Sequence, residues 1–341
     1  MKKILAAMSG GVDSAATAIL LKNKGYSAAG ATMCLRCGAE AEIADAKSAC
    51  DQLGLPFYRF DLMEEFDRLV VDTFQADYQN GRTPNPCIVC NETMKFGLFL
   101  DKALELGFDG IATGHYARIE ESSGRFLLKT AADLGRDQSY FLYRLSQHQL
   151  SRTLFPLGAH TKDEARELCR NAALHLSAKK DSQDICFVPD GDYMAVLKGR
   201  GLQPQLGDFI LGGRRVAPHE GLEAYTIGQR RGLGYAAGER VYVTEKVGND
   251  VILGENSELF STTVYVENLN YIAFDAPSLP FEAECKLRSG PKRSLCTVTP
   301  AAAGATLTFR EPQRAVTPGQ SAVFYDRETV LGGGVIVGRA R

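Results

Sequence analysis

The chain opens with an apolar run, Ile4–Met8, followed at once by the loop Ser9-Gly10-Gly11-Val12-Asp13-Ser14 and a helical pattern. A strand, a glycine loop and a helix in this order predict an α/β sheet, in which the loop N–H groups and the helix N-terminus can hold phosphate oxygens. No Gly-Lys-Ser/Thr follows, and the spacing is not that of a dinucleotide fingerprint. The loop therefore predicts another kind of nucleotide site. The alternative is an ordinary turn in which Asp13 or Ser14 caps the helix.

Residues 1–185 continue this alternation of short apolar runs and amphipathic helices, which is typical of a parallel α/β sheet. A helix after Cys90 is marked by apolar residues at helical spacing, and Gly107 is expected to end it. The other predicted elements are a helix from Asp13, extended Ala28–Cys34, a helix near Glu40–Leu53, and extended Phe57–Phe60 and Ile111–Thr113.

From about residue 205 the pattern changes to short β-branched and aromatic runs separated by glycine or proline, which favours antiparallel barrels or sandwiches. We expect an N-terminal domain over 1–190, a small central domain over 191–258 and a C-terminal β-barrel over 259–341. The segment Asn268–Pro280 is a linker or a loop. The predicted strands are Arg240–Val247, Asp250–Leu253, Ser261–Val266, Leu295–Thr299, Ala305–Phe309, Ser321–Tyr325 and Thr329–Val337.

Composition narrows the functional class. The chain has 341 residues, is 45% hydrophobic, and balances 39 Lys and Arg against 41 Asp and Glu, so a nucleic-acid surface would have to be local. The first apolar run is too short for a signal peptide and no stretch approaches a membrane span. An odd count of nine cysteines in a chain of this size favours a reducing compartment, and we expect a cytoplasmic protein.

The cysteine motif Thr83-Pro84-Asn85-Pro86-Cys87-Ile88-Val89-Cys90-Asn91 places a C-x-x-C where a helix is predicted to begin. A helix N-terminus favours the thiolate, so Cys90 is expected to have a lowered pKa and to act as a nucleophile or metal ligand. The alternatives are two buried structural thiols, or a structural zinc completed by Cys34 and Cys37. Cys186 by itself would be interpreted as a small core residue.

Two resemblances rest on these motifs. The loop S-G-G-V-D-S resembles that of the PP-loop ATP pyrophosphatases, and the chain as a whole is similar to the tRNA-specific 2-thiouridylase family. The segments that match are the glycine loop, T-P-N-P-C-I-V-C-N, A-T-G-H-Y-A-R at 112–118, R-D-Q-S-Y-F-L at 136–142, D-S-Q-D-I-C-F at 181–187, Y-T-I-G-Q-R-R-G-L at 225–233 and P-G-Q-S-A-V-F-Y at 318–325.

The resemblance implies ATP- and Mg²⁺-dependent 2-thiolation of the wobble uridine of a tRNA, by adenylation of the uracil C2 carbonyl and sulfur transfer, with release of AMP and pyrophosphate. Cys90 is then the nucleophile and Cys186 carries a persulfide, and the two form a disulfide when sulfur is delivered. A sulfur-donor protein is an implied partner, and a membrane is not. The implied ATP-binding residues are Ala7, Met8, Ser9, Gly10, Gly11, Val12, Asp13, Ser14, Met33 and Gly114.

The resemblance also implies contacts with the anticodon region of tRNA, whose target base must leave its stack to be modified. The residues implied are Asn85, Pro86, Cys87, His115, Arg136, Asp137, Gln138, Arg288, Ser289 and Gln320. Residues 286–314 add a local excess of basic residues that predicts phosphate contacts or, alternatively, a solvated face. Ser289 stands where some relatives have an aromatic residue.

One departure concerns the mechanism. Many family members have an aspartate where this chain has Cys87, and a thiol replaces a carboxylate poorly in proton transfer at neutral pH. Three thiols, Cys87, Cys90 and Cys186, would alternatively hold a [4Fe–4S] cluster with one open iron. Two rival functions are a PP-loop synthetase for a small metabolite and an RNA-binding protein without catalysis.

Overall fold

The structure is a computed structural model that describes residues 1–179 and 184–340. Its N-terminal sheet consists of five parallel strands, and the short apolar run that opens the chain lies at its centre. The strands are β1 (Lys3–Ala7), β2 (Ser27–Cys34), β3 (Phe57–Asp61), β4 (Gly110–Ala112) and β7 (Thr153–Leu154), in the order β3-β2-β1-β4-β7. The predicted parallel α/β sheet is confirmed.

Helices cover both faces of this sheet, as the alternation along β1 requires. Ile4 and Ala6 face one set of helices, whereas Leu5 faces the other. The helices are α1 (Val12–Asn23), α2 (Glu40–Leu53), α3 (Met63–Phe66), α4 (Asp72–Gln79), α5 (Pro86–Val89), α6 (Phe99–Glu105), α7 (Gln147–Ser151), α8 (Lys162–Asn171) and α9 (Tyr193–Gly199). Short 3-10 turns cover Ser139–Leu142, Pro156–Ala159, His175–Ala178, Pro189–Gly191, Leu222–Ala224 and Asn256–Leu259.

Two of these helices are interrupted by π-helical turns. Asp67–Val71 joins α3 to α4, and Cys90–Leu98 joins α5 to α6. The second interruption gives one continuous helical segment from Pro86 to Glu105, so the predicted helix starts four residues earlier than expected. Gly107 follows its end with φ +79°, as predicted. π-Helical turns are rare and occur often at functional sites.

The central region forms a small mixed sheet around Phe209, Val243 and Val251. Its strands are β8 (Gly207–Leu211), β9 (Arg214–His219), β10 (Tyr242–Val247) and β11 (Asp250–Gly254), in the order β10-β11-β8-β9. The sequence predicts only the last two along the chain, because β8 and β9 lie in a segment rich in glycine and arginine.

The C-terminal region is a six-stranded antiparallel barrel. Its strands are β12 (Phe260–Tyr271), β13 (Phe281–Lys286), β14 (Ser294–Ala301), β15 (Gly304–Arg314), β16 (Ser321–Asp326) and β17 (Thr329–Arg339). Pairing of β12 with β17 closes the barrel. The predicted barrel is confirmed, with β13 as an additional strand. Because β12 runs to Tyr271 and β13 follows Pro280, the segment Asn268–Pro280 belongs to the barrel, and its interpretation as a linker is wrong.

A hairpin of the N-terminal region, β5 (Ala117–Ser122) and β6 (Arg125–Thr130), extends the barrel sheet where Thr329 pairs with Lys129. Beneath it, Val323 and Tyr325 of the barrel are buried in the same apolar cluster as Leu5 of the parallel sheet. The two regions therefore share one core, which fixes the barrel relative to the edge where the glycine loop lies.

Candidate active site

The glycine loop leaves the N-terminus of α1 open. Gly11 is the N-cap residue, with extended backbone and no capping side chain, and the first intrahelical bond runs from Ala15 N to Gly11 O. The interpretation in which Asp13 or Ser14 caps the helix is wrong, because the Ser14 hydroxyl donates to Gly11 O at 2.9 Å. The first N–H groups of a helix have no intrahelical partner, so an anion can accept from them here.

Gly10 is required where α2 crosses the loop. Its φ is +70°, and a Cβ at this position would overlap the Glu42 carbonyl oxygen. Lys179 fixes the same junction, since its ammonium donates to Gly10 O at 2.9 Å and to the Asp45 carboxylate at 2.6 Å. These two contacts of Lys179 join the loop to α2.

Asp13 has two partners that the sequence does not predict. The Lys162 ammonium donates to both of its carboxylate oxygens at 2.8 Å, and the Tyr116 hydroxyl donates to Oδ1 at 2.9 Å. Lys162 is the first residue of α8, whose start is fixed by a capping box between Thr161 and Glu164. The T-x-x-E pattern at 161–164 is the available signal for that helix start.

The other predicted ATP-binding residues lie at the carboxyl ends of adjacent strands. Gly114 follows β4 and lies against α1, so that a Cβ there would stand 2.9 Å from the backbone carbon of Asp13. Met33 lies one residue before the end of β2, and Met8 N donates to Ala31 O at 2.8 Å just beyond β1. Ala7, Met8, Met33 and Gly114 thus surround the edge at which open α/β sheets bind ligands.

The cysteine motif is arranged differently from the prediction. The helix begins at Pro86 with Asn85 as N-cap, so Cys87 is in the first turn and is exposed, whereas Cys90 lies a turn later and is buried. Burial raises the pKa of the Cys90 thiol to about 11, and the nearby Lys95 ammonium opposes this rise. The expected lowered pKa of Cys90 is therefore wrong, because desolvation outweighs the helix N-terminus.

Cys87, Cys90 and Cys186 are brought together. Cys186 interacts electrostatically with both of the other thiols, and the Lys95 charge acts on all three. Desolvation by the surrounding protein raises the pKa of Cys87 and of Cys186, although both residues keep exposed surface, and Lys95 lowers each pKa. The π-helical turn contributes to this arrangement, because hydrogen bonds between residues five apart bring Lys95 closer to the side of Cys90 than an α-helix would.

Lys95 is held by His115, which is buried. The Lys95 ammonium lies 3.5 Å from His115 Nε2, and Thr113 Oγ1 lies 2.7 Å from Nδ1. An ammonium can only donate, so Nε2 is the acceptor and the ring proton is on Nδ1. Burial, reinforced by Lys95, holds the pKa of His115 well below its usual range. His115 is neutral at neutral pH and orients a cation.

Neither an iron–sulfur cluster nor a structural zinc ion has a suitable set of ligands among the described residues. Within residues 1–179 and 184–340, no group of three or more His, Cys, Asp or Glu side chains is placed to hold a metal ion. The three thiols therefore do not fit a [4Fe–4S] cluster as they stand, nor do the two C-x-x-C pairs form a zinc site. For Mg²⁺, Asp13 is the carboxylate of the loop, and both of its oxygens accept from Lys162.

Residues predicted to contact tRNA also connect the domains. The Gln320 amide donates to Thr83 O at 2.8 Å and to Pro84 O at 3.4 Å, and Thr83 N donates to Pro318 O at 2.9 Å. The Thr83 hydroxyl lies 3.4 Å from that of Thr226. Three of the sequence motifs therefore meet at the loop that precedes Asn85, Pro86 and Cys87.

Arg136, Asp137 and Gln138 have different surroundings. Arg136 is exposed and lines a cavity of about 700 Å³ beside Lys162. The Asp137 side chain is 2% exposed and forms an ion pair with Lys286 of the barrel at 3.5 Å. The Gln138 side chain accepts from Tyr116 N at 2.9 Å. The observed contacts of Asp137 and Gln138 are structural, and their contact with RNA stays a prediction.

The basic run of the barrel is partly neutralised within the protein. Arg293 pairs with Glu284 at 3.2 Å and its guanidinium lies 4.0 Å from the centre of the Tyr325 ring, and Arg310 pairs with Glu282 at 2.9 Å. Arg288, Ser289 and Lys292 are exposed. These three exposed positions remain available for phosphate contact.

The motif D-S-Q-D-I-C-F at 181–187 contains Cys186, and its first three residues, Asp181-Ser182-Gln183, lie outside the described residues.

Comparisons with known proteins match nearly the whole chain. A family model described as a tRNA methyl transferase HUP domain matches residues 2–190, a tRNA methyl transferase PRC-barrel domain matches 199–255, and an aminomethyltransferase beta-barrel domain matches 261–336. In the part of the chain that the structure describes, no helix is long and apolar enough to cross a membrane.

Curated relatives are similar over nearly their full length. A tRNA-specific 2-thiouridylase MnmA 1 of Clostridium botulinum is 42% identical, covering 98% of this chain and 99% of the relative. A tRNA-specific 2-thiouridylase MnmA 1 of Clostridium tetani is 43% identical over 98% of this chain and 96% of the relative. One from Clostridium acetobutylicum is 41% identical over 98% and 99%. With this identity over the full length of its relatives, the chain belongs to the tRNA-specific 2-thiouridylase MnmA family.

Proposed function

We propose that this protein is an ATP-dependent tRNA-uridine 2-sulfurtransferase that converts the wobble uridine to 2-thiouridine. The observation that carries the proposal is that a phosphate-binding glycine loop and the Cys90–Cys186 thiol pair occur in one α/β domain of a chain that belongs to this family. The chemistry of a synthetase for a small metabolite does not use the paired thiols. An RNA-binding protein without catalysis does not use the open N-terminus of α1.

Adenylation is assigned to the loop. The α1 N-terminus holds the terminal phosphates of ATP, so the α-phosphate is open to attack by the uracil C2 oxygen and pyrophosphate leaves. The proposed ATP contacts are those at the ends of β1, β2 and β4. Lys162 lies beside the phosphates, because its ammonium already binds Asp13. Mg²⁺ would accompany ATP as part of the substrate.

Sulfur transfer is assigned to the two cysteines. The terminal sulfur of a Cys186 persulfide attacks C2 and AMP leaves, which joins uridine to Cys186 through a disulfide. The Cys90 thiolate then attacks the Cys186 sulfur, 2-thiouridine departs with the bonding electron pair, and a Cys90–Cys186 disulfide remains. The raised pKa keeps Cys90 protonated until this step, and the Lys95 charge favours its anion.

We assign the remaining contacts by the same reasoning. The residues proposed to contact the RNA directly are exposed: Cys87, Arg136, Arg288 and Ser289. The other residues proposed for the tRNA site are less exposed and lie beside or beneath these: Asn85, Pro86, His115, Asp137, Gln138 and Gln320. The domain limits proposed are 1–190, 191–258 and 259–341. A sulfur-donor protein loads Cys186, which is exposed, and the nine free thiols suit a cytoplasmic location.

The test is mass spectrometry of tRNA nucleosides after incubation with ATP, Mg²⁺ and a polysulfide donor. We expect 2-thiouridine and AMP from the unaltered protein. Cys186→Ser should still release pyrophosphate with tRNA but form no 2-thiouridine, because serine cannot hold a persulfide. Cys296→Ala, in the barrel core, serves as the control. Thiolation by Cys186→Ser would refute the persulfide assignment.

A further inference from the structure

A second pair of thiols, Cys34 and Cys37, lies at the end of β2 and has no role in the proposed reaction. Cys34 is 2% exposed, whereas Cys37 is exposed in a turn that Gly38 completes with φ +76°. The Cys34 thiol donates to Arg36 O at 3.9 Å, so it is directed toward this turn. Arg59 donates to the Cys34 sulfur at 3.5 Å and holds it there. One thiol of the pair is accessible and the other is sheltered beside it.

This turn lies next to the sulfur-transfer cysteines. Leu35 packs on the apolar cluster that contains Cys90, and Phe187, the neighbour of Cys186, packs on the same cluster. The Arg36 guanidinium interacts electrostatically with Cys186 and pairs with Glu42 at 2.7 Å, which anchors the turn to α2. The residues flanking one thiol pair therefore contact the same cluster as those flanking the other.

The proposed reaction requires a reductant for the Cys90–Cys186 disulfide, and Cys34 and Cys37 can supply the electrons. Each thiolation leaves a Cys90–Cys186 disulfide, and Cys186 must return to a free thiol before it can accept another sulfur. Cys90 is buried and Cys186 is exposed, so a thiol that reduces this disulfide attacks the Cys186 sulfur. An accessible thiol on an adjacent turn, with a second thiol three positions away in the chain, is the arrangement of a disulfide-exchange pair.

We propose that Cys37 and Cys34 reduce the Cys90–Cys186 disulfide after each turnover; this inference rests on the persulfide mechanism of the proposed function. The Cys37 thiolate attacks Cys186 Sγ, the Cys90–Cys186 bond breaks, and Cys90 leaves with the electron pair and takes up a proton. Cys34 then attacks Cys37 Sγ, and Cys186 leaves as a thiol. Two electrons pass to the Cys90–Cys186 pair, Cys34 and Cys37 become a disulfide, and an external dithiol reductant restores them at the surface.

The experiment follows disulfides through a single turnover. The protein, pre-loaded with sulfur by polysulfide and desalted, reacts with ATP, Mg²⁺ and tRNA without added reductant, and is quenched with acid and alkylated. Peptide mass spectrometry then locates the disulfides while nucleoside analysis counts 2-thiouridine. We expect a Cys34–Cys37 disulfide in the unaltered protein and a Cys90–Cys186 disulfide in Cys37→Ser, with equal 2-thiouridine from the first turnover.

A second variant separates exchange from a merely structural effect. In Cys34→Ala, Cys37 can attack but nothing can displace Cys186, so a mixed Cys37–Cys186 disulfide should accumulate. Cys296→Ala is the matched control, since it removes a thiol from the barrel core, and it should behave as the unaltered protein. Thermal melting of Cys37→Ser, whose altered side chain is exposed, verifies that the fold is kept.

The outcomes separate the two proposals. Formation of 2-thiouridine with the disulfide remaining at Cys90–Cys186 in the unaltered protein would overturn the exchange step and leave the proposed function standing. Absence of 2-thiouridine would refute the function. The exchange is then decided without tRNA, by stoichiometric oxidation with diamide: a Cys34–Cys37 disulfide in the unaltered protein, and a Cys90–Cys186 disulfide in Cys37→Ser, support it, whereas identical disulfide maps contradict it.

Discussion

The Lys162 ammonium donates to both carboxylate oxygens of Asp13 at 2.8 Å, although 149 residues separate the two in sequence. Lys162 is 7% exposed, and the pair joins the start of α8 to the start of α1. A half-buried carboxylate and a buried ammonium in this geometry neutralise each other in the free protein. Polyphosphate bound at the α1 N-terminus would bring a second anion to the same lysine.

The first prediction concerns this lysine. Lys162→Met should weaken ATP binding about tenfold or more, because a hydrogen bond to a charged group contributes roughly 1.5–3 kcal/mol. Isothermal titration with a non-hydrolysable ATP analogue measures the change. Lys47→Met, which removes only an exposed ion pair with Asp51, is the control and should bind as before. Unchanged affinity in Lys162→Met would confine Lys162 to a structural role.

The second prediction uses the close approach of Gly114 to Asp13. Gly114→Ala should separate β4 from the start of α1, because its Cβ would lie 2.9 Å from the Asp13 backbone. Overpacking of this kind costs typically about 1–3 kcal/mol of unfolding free energy, and ATP affinity should fall with it. Denaturant unfolding and nucleotide titration measure both. Gly199→Ala, where a Cβ meets no atom within 4 Å, is the control.

The third prediction is a pH dependence. Burial raises the pKa of Cys90 to about 11 from 9.0, so the folded protein binds this proton more tightly than the unfolded chain. The stabilisation that this provides is complete below pH 9 and is lost as pH rises toward 11. Alkylation of Cys90 by iodoacetamide, followed by peptide mass spectrometry, should therefore be slow at neutral pH and accelerate well above pH 9.

Lys95 provides the matched variants for this measurement. Lys95→Met should move the alkylation profile of Cys90 to higher pH, since the ammonium opposes the rise, and Lys95→Arg should restore most of it. A Cys90 profile that is the same in all three proteins would contradict the electrostatic role of Lys95.

The fourth prediction separates two roles of Gln320. Gln320→Ala removes the hydrogen bonds to Thr83 O and Pro84 O, each worth about 0.5–1.5 kcal/mol, so the loop before Cys87 should exchange amide hydrogens faster in the absence of RNA. Gln203→Ala is the control, because this exposed side chain donates to Gly201 O instead of to the loop. Faster exchange would establish that Gln320 holds this loop in place. A loss of tRNA binding with unchanged exchange would instead favour direct contact between Gln320 and RNA.

The fifth prediction concerns the basic run. Arg288→Gln with Lys292→Gln should weaken tRNA binding and reduce the log–log salt slope by about 0.7–0.9 for each phosphate that the protein no longer neutralises. Arg310→Gln is the comparison, because Arg310 is already paired with Glu282. Filter binding across a range of salt concentrations measures the slopes. Equal slopes in the double variant and the unaltered protein would identify a solvated face.

Local patterns are sufficient for much of the fold. The strand–loop–helix at Ile4–Ser14, the helical spacing of Phe96, Phe99 and Leu100, and the β-branched runs after residue 240 each depend on neighbours a few positions away, and each prediction is confirmed. The strands β5, β6, β7, β8 and β9 are not predicted, because their sequences are short, charged or glycine-rich. The strand β13 is not predicted either, although Phe281, Ala283 and Cys285 alternate with charged residues as in a half-buried strand.

The sequence by itself determined the loop, the cysteine motif and the family, because residue type and spacing carry them. Tertiary structure decided which side chains meet: Lys162 with Asp13, Lys95 with His115 and the thiols, and Gln320 with Thr83. It also reversed the expected pKa of Cys90. Desolvation depends on every atom packed around a group, and neither packing nor contacts across a hundred residues are encoded in local spacing.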